Sequence, residues 1–251
     1  MDLIDSHCHF DDPRFDPDRD AVLDRARSAG VSELVVPAVG RNNWDRVRAV
    51  CRATPGCHPA YGLHPWFDHE DADLERLDRW LAENPAVAIG ECGLDHHIRE
   101  PAPALQARWF AGQLELAASH GLPLIMHAVK AFDEVGAMIR RHPGVGGVVH
   151  AFTGSLQQGQ RLIDSGLYLG IGTAATFPER KKLRRTIAGL PLDRLVLETD
   201  APNQPGAAHR GERNEPAWIT EVARAMAEIR DLPVAEVIEA SNRNIRQLFD
   251  L

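Results

Sequence analysis

The sequence predicts a single (β/α)8 TIM barrel, and three observations carry that prediction. Eight short apolar runs alternate with helical patterns along the chain, and strands that alternate with helices make a parallel sheet. The chain has 251 residues, about the length at which eight such repeats close into a barrel. Residue types that bind metal ions stand at the ends of successive apolar runs, as they would if parallel strands delivered them all to one rim. One domain spanning residues 1–251 is therefore expected.

The expected strands are runs of Val, Ile and Leu bounded by turn residues. They are Leu3–Asp5, Glu33–Val39, Pro59–His64, Val87–Glu91, Leu124–His127, Val148–His150, Tyr168–Gly172 and Leu195–Asp200. Helical patterns fill the gaps, near Arg19–Ala29, Asn43–Ala53, Asp73–Glu83, Ala104–His120, Ala131–Arg141, Leu156–Ser165 and Glu179–Ala188, with two more near Pro216–Ile229 and Val234–Leu248. Gly30, Gly121 and Gly166 fall where helices end, and Asn43 and Ser155 fall where they begin. A doubly wound open sheet would want a glycine-rich phosphate turn after the first strand, where this chain has His-Cys-His. One long loop, Ala201–Glu215, follows the last strand; long loops in compact domains are usually functional.

Composition narrows the function. A net charge of -8 argues against wrapping duplex nucleic acid, which requires a basic face. It leaves room for holding one strand end, because bound cations invert the local sign. The four cysteines, Cys8, Cys51, Cys57 and Cys92, form no CxxC pair, so reduced thiols in a cytoplasmic protein are expected. The opening Met-Asp-Leu-Ile-Asp lacks the basic and apolar regions of a secretory signal, and no run of apolar residues is long enough to span a bilayer. No membrane association and no obligate protein partner are expected.

The chemistry lies in six residues. His7 and His9 alternate at the end of the first strand, so both imidazoles point to one side. Glu91 lies in Ile89-Gly-Glu-Cys-Gly-Leu-Asp95, where Gly90 and Gly93 permit close backbone approach and a carboxylate can bridge two cations. His127 ends Pro123-Leu-Ile-Met-His, and His150 ends Gly147-Val-Val-His. Burying an imidazole after such runs is costly without a partner. Asp200 ends Leu195-Val-Leu-Glu-Thr-Asp and can both ligate a metal and take a proton from metal-bound water. Taken singly, each has a structural alternative: a satisfied core histidine, a paired Glu91, an Asx turn at Asp200. Together they predict one mixed His and carboxylate metal site, of the kind that binds Zn, Mn, Fe or Ni more readily than a pure magnesium cage.

These stretches carry a resemblance. Asp5-Ser-His-Cys-His-Phe-Asp, Gly62-Leu-His-Pro, Ile89-Gly-Glu-Cys-Gly-Leu-Asp, Val149-His-Ala-Phe-Thr-Gly-Ser, Leu195-Val-Leu-Glu-Thr-Asp-Ala-Pro and Arg210-Gly-x-x-Asn-Glu-Pro216 resemble the TatD family of metal-dependent hydrolases, within the amidohydrolase superfamily. The match runs essentially end to end, and the opening is most similar to the YjjV-like branch. The resemblance implies a (β/α)8 barrel, a site for two divalent ions (Zn, Mn, Mg, Fe or Ni) and hydrolysis of DNA phosphodiester bonds from a free 3′ end. By the same resemblance His7, His9 and Asp200 hold one ion, His127 and His150 the other, and Glu91 bridges. Asp200 and Glu91 are the expected catalytic residues. Two departures bear on substrate contacts. Many relatives carry Arg two positions after the strand-five histidine, where this chain has Val129, with Lys130 next. An aromatic residue usually follows Gly-Leu-Asp, where this chain has His96-His97.

Four further residues are expected to bind substrate: His64, Arg210, Arg213 and Asn214. His64 ends the third strand and can donate to a phosphate, with Trp66 beside it placed to stack on a base or simply to pack at the rim. Arg210, Arg213 and Asn214 lie on the loop after strand eight, where barrels often build phosphate sites. Asp95 reads as a residue that orients a ligand or as a buried structural aspartate. The run Arg180-Lys-Lys-x-Arg-Arg185 reads equally as an anion contact or as a solvated face. Two alternatives stand beside the nuclease: an amide, lactone or aminoacyl-ester hydrolase using the same metals, and a non-catalytic metal-bound scaffold or partner-binding protein.

Overall fold

In the computed structural model, which describes residues 2–251, the chain is a (β/α)8 TIM barrel. The strands are β1 (Leu3–Asp5), β2 (Val31–Pro37), β3 (Cys57–Tyr61), β4 (Ala88–Asp95), β5 (Leu124–Val129), β6 (Gly147–Val149), β7 (Leu167–Ile171) and β8 (Leu195–Leu197). They pair in sequence order, every pair parallel. Backbone bonds from Ser6 N to Leu197 O, 3.1 Å, and from Asp200 N to His7 O, 2.9 Å, join the first strand to the last.

The helices are α1 (Arg19–Ser28), α2 (Arg41–Ala53), α3 (Ala72–Glu83), α4 (Pro103–His120), α5 (Phe132–Ile139), α6 (Leu156–Asp164), α7 (Lys181–Gly189), α8 (Ile219–Arg230) and α9 (Val234–Phe249). Ser155 caps α6 in a reciprocal box with Gln158. Asn43 is not a cap: Gly40 occupies that position, and Asn43 reaches back from the first turn to the N–H groups of Val39 and Gly40. Among the described residues, no helix is long and apolar enough to cross a membrane.

The core has two layers. Ile4, Val35, Ala60, Ala88, Ile125, Val148, Tyr168 and Val196 form one buried cluster, with one residue from each strand. Side chains from eight successive strands can meet only inside the barrel. Ile245 and Phe249 of α9 extend that cluster and close the barrel's N-terminal end. A larger cluster packs the outer faces of the strands against the helices.

The interior plug leaves only the C-terminal rim for a site, and the strand ends differ there from expectation. β1, β6 and β8 stop short of His7, His150 and Asp200, which sit on the first residues of the following loops. β4 runs on through Asp95, so Glu91 lies within the strand, beside a register shift between Ile89 and Cys92. Gly93 makes that path possible. Its φ is +128°, and a Cβ there would come within 2.1 Å of His127 O.

Candidate metal centre

The six residues expected from sequence converge at this rim. His7 and His9 present Nε2 atoms 3.2 Å apart, each 3.3 Å from Glu91 Oε2. Asp200 Oδ1 lies 3.7 and 3.4 Å from the same two nitrogens. The other oxygen, Glu91 Oε1, lies 3.1 Å from His127 Nδ1 and 2.8 Å from His150 Nε2. One carboxylate thus divides its two oxygens between two groups of donors.

The partners of each ring decide which nitrogen faces the centre. His9 Nδ1 donates to Pro37 O at 3.2 Å, which leaves Nε2 with a free lone pair. His127 Nε2 donates to Asp95 Oδ2 at 2.9 Å, which turns Nδ1 to Glu91. His64 is the exception. Its Nδ1 accepts from the Trp66 backbone N–H at 3.1 Å, so in the neutral ring Nε2 carries the proton, 3.1 Å from Glu91 Oε1. His64 thus aims Nε2 at Glu91, within a buried group of Glu91 and His127 close enough to hold a metal ion.

Electrostatics point the same way. Burial would raise the Glu91 carboxyl, but His150, His64, His7 and His127 hold it well below the usual range. Burial lowers His64 to about 4 and also lowers His7. His9 rises to about 9 against burial, because Glu91 and Asp200 favour its cation; His150 and His127 rise for the same kind of reason. Buried lone pairs packed this closely around carboxylates require positive charge between them, and metal ions compete with protons for those same atoms. The donor set therefore fits divalent metal ions.

Two buried carboxylates that motif reading passed over support the rim. Asp5 accepts from Thr199 Oγ1 and N and from the His7 N–H, tying β1 to β8, and burial pushes it up to about 8. Glu198 Oε1 accepts from the Ala151 N–H and lies 3.7 Å from His150 Nδ1. Gly170 leaves it room, since a Cβ there would fall 2.1 Å from Glu198 Oε2. The available signal for Glu198 was a carboxylate directly after the apolar run Leu195–Leu197.

The expected substrate residues separate. His64 belongs to the centre. Asn214 is fully buried and its amide donates to Thr199 O, Asn203 O and Gln204 O, pinning the loop after β8. Arg213 is bound by Asp18 and Glu215 and lies 4.8 Å over the Phe15 ring. Arg210 pairs with Glu179 and covers Phe177. None of the three lines the cavity of about 1430 Å³ above the centre, to which this loop contributes Asn203 and Gln204 instead. Both of its arginines have carboxylate partners within the fold.

The TatD-related DNase family model matches residues 4–250. The chain belongs to the TatD family of metal-dependent hydrolases. It is 40% identical to the metal-dependent hydrolase YjjV of Escherichia coli K12, over 99% of this chain and 98% of that one. It is 34% identical to the 3′-5′ ssDNA/RNA exonuclease TatD of Cronobacter sakazakii, over 98% and 97%. The crystal structure of Escherichia coli YjjV superposes with a TM-score of 0.95 at 39% identity, covering 99% of this chain and 98% of that one.

Proposed function

We propose that this protein is a two-metal phosphodiesterase that removes nucleotides from the 3′ end of a DNA strand. The observation that carries the reading is the division of Glu91, with Oε2 toward His7 and His9 and Oε1 toward His127 and His150. A carboxylate whose two oxygens face two donor groups could serve a pair of ions. His7, His9 and Asp200 would hold one ion and His127 and His150 the other. Divalent ions held there supply Lewis acidity and acidify bound water.

The chain's own residues do the rest. Asp200 accepts the proton that water loses on attack; its Oδ2 is fixed by Gln204 Nε2 at 2.5 Å. His64 Nε2–H donates to a phosphate oxygen, its proton kept on that atom by the Trp66 backbone. Asp95 holds His127 in its ligating tautomer. The nuclease name of the Cronobacter relative supports the substrate class.

The test is turnover by metal-reconstituted protein on single-stranded DNA, duplex DNA, RNA, aryl phosphodiesters, amides and lactones. Shortening of a 5′-labelled single strand from its 3′ end supports the reading. Hydrolysis of amides or lactones with no phosphodiester cleaved under any divalent metal replaces it with carbonyl chemistry.

A further inference from the structure

The cavity above the metal centre has two unlike walls. On one, Trp66 and Phe67 follow β3 and are 55% and 46% exposed, two of the few large hydrophobic side chains left in solvent. Trp66 is not loose: its Nε1 donates to Asp95 Oδ2 at 2.6 Å, and its ring packs edge-on against His64. On the other wall, Arg180, Lys181 and Lys182 follow β7. Among the described residues none of these three is paired with a carboxylate, whereas Arg184 of the same run turns away to Glu228. Apart from Glu91 and Asp200 of the centre, the carboxylates that share the cavity have partners: Asp12 in Arg14, Asp11 in Asn43 and Glu179 in Arg210.

Topology sets these walls face to face. In an eight-stranded barrel with strand order β1 to β8, β3 and β7 lie opposite each other. The metal ligands lie on the floor between them. A chain of net charge -8 leaves three unpaired cations on one wall and a fixed, exposed indole on the other. An anion alone would use only the first, and an apolar ligand only the second.

Resting on the nuclease reading above, we propose that the two walls form a track for a single nucleic-acid strand: a base stacks on Trp66 while Arg180, Lys181 and Lys182 hold backbone phosphates. Stacking platforms joined to cationic grooves suit single strands, whose bases are free to leave their neighbours. A duplex keeps its bases stacked and cannot reach the indole. The basic run that sequence left open between two readings is thus divided, its first three residues facing the substrate.

The experiment measures binding apart from cleavage. A short fluorescein-labelled phosphorothioate oligothymidylate is titrated onto metal-loaded protein by fluorescence anisotropy across a salt series. Replacing Arg180, Lys181 and Lys182 together with Ala is expected to weaken binding and to reduce the salt slope by about 2, at roughly 0.7 per phosphate contact for single strands. Trp66→Leu is expected to lose about tenfold in affinity, the size of one stacked base, while Trp66→Phe keeps most of it. An unchanged salt slope in the triple variant overturns the track. Equal losses in Trp66→Leu and Trp66→Phe overturn stacking and reduce Trp66 to a brace for Asp95. A blunt duplex bound as tightly as the single strand, with the same dependence on Trp66, also overturns it. If wild type binds with the expected slopes but cleaves no nucleic acid, the track stands and the nuclease reading falls. If it cleaves while the slopes stay flat, the track alone falls.

Discussion

Replacing Asp95 with Asn tests how the second ligand group is held. Asp95 Oδ2 accepts from His127 Nε2 at 2.9 Å and Trp66 Nε1 at 2.6 Å, while Oδ1 accepts from the His97 N–H at 2.7 Å. Burial would raise this carboxyl, but those bonds hold it well below the usual carboxylate range. Three donors thus share two acceptor oxygens, and the residue is only 1% exposed. An amide offers one oxygen. In one orientation its NH2 opposes His97 N–H; in the other it opposes both His127 and Trp66. Even the better orientation leaves a buried donor unpaired, at about 1–3 kcal/mol. That orientation keeps an oxygen on His127 but exchanges its carboxylate for a neutral amide, and changing the partner of a metal-binding histidine typically costs about 10–100-fold in metal affinity or activity. The expected result is a roughly 10–100-fold loss in affinity for one of two ions. The melting temperature should fall by at least about 2 °C. Competition against a chromogenic chelator and scanning calorimetry measure both. Metal affinity within twofold of wild type, with an unchanged melt, refutes the assignment of Asp95 as the group that sets the His127 tautomer.

Glu91→Gln is expected to weaken both ions together, because each donor group loses the oxygen it shares; elemental analysis should show two equivalents in wild type, and selective loss of one ion would remove the bridge. Asp200→Asn keeps an oxygen but cannot take a proton near neutral pH, so turnover should fall about 10²–10⁴-fold; single-turnover kinetics on a 3′ end checks this, and activity within a fewfold removes Asp200 from proton transfer. Arg213→Ala is expected to lower the melting temperature by about 2–4 °C, the equivalent of about 1 kcal/mol for a chain of this size. Its KM for an oligonucleotide should stay unchanged, since Arg213 is held by Asp18 and Glu215; a raised KM would return it to the substrate site.

The barrel, and the grouping of six residues at one rim, were legible in the residues alone. Alternation of apolar runs with helical patterns sets the order of strands and helices, and parallel strands send all their C-terminal ends to one face. His7, His9, Glu91, His127, His150 and Asp200 could therefore be grouped from their positions in the chain. Only the tertiary structure decided which ring nitrogen faces Glu91, because each tautomer depends on a partner far along the chain, as Pro37 does for His9 and Asp95 for His127. The same reason governs the loop after β8. Arg213 looked free in sequence, yet its partner Asp18 lies 195 residues earlier. Arg180, Lys181 and Lys182 read equally as an anion contact or a solvated face until the barrel set them across from Trp66. A charged side chain's role follows from what is left unpaired around it, and that is settled only when distant segments pack together.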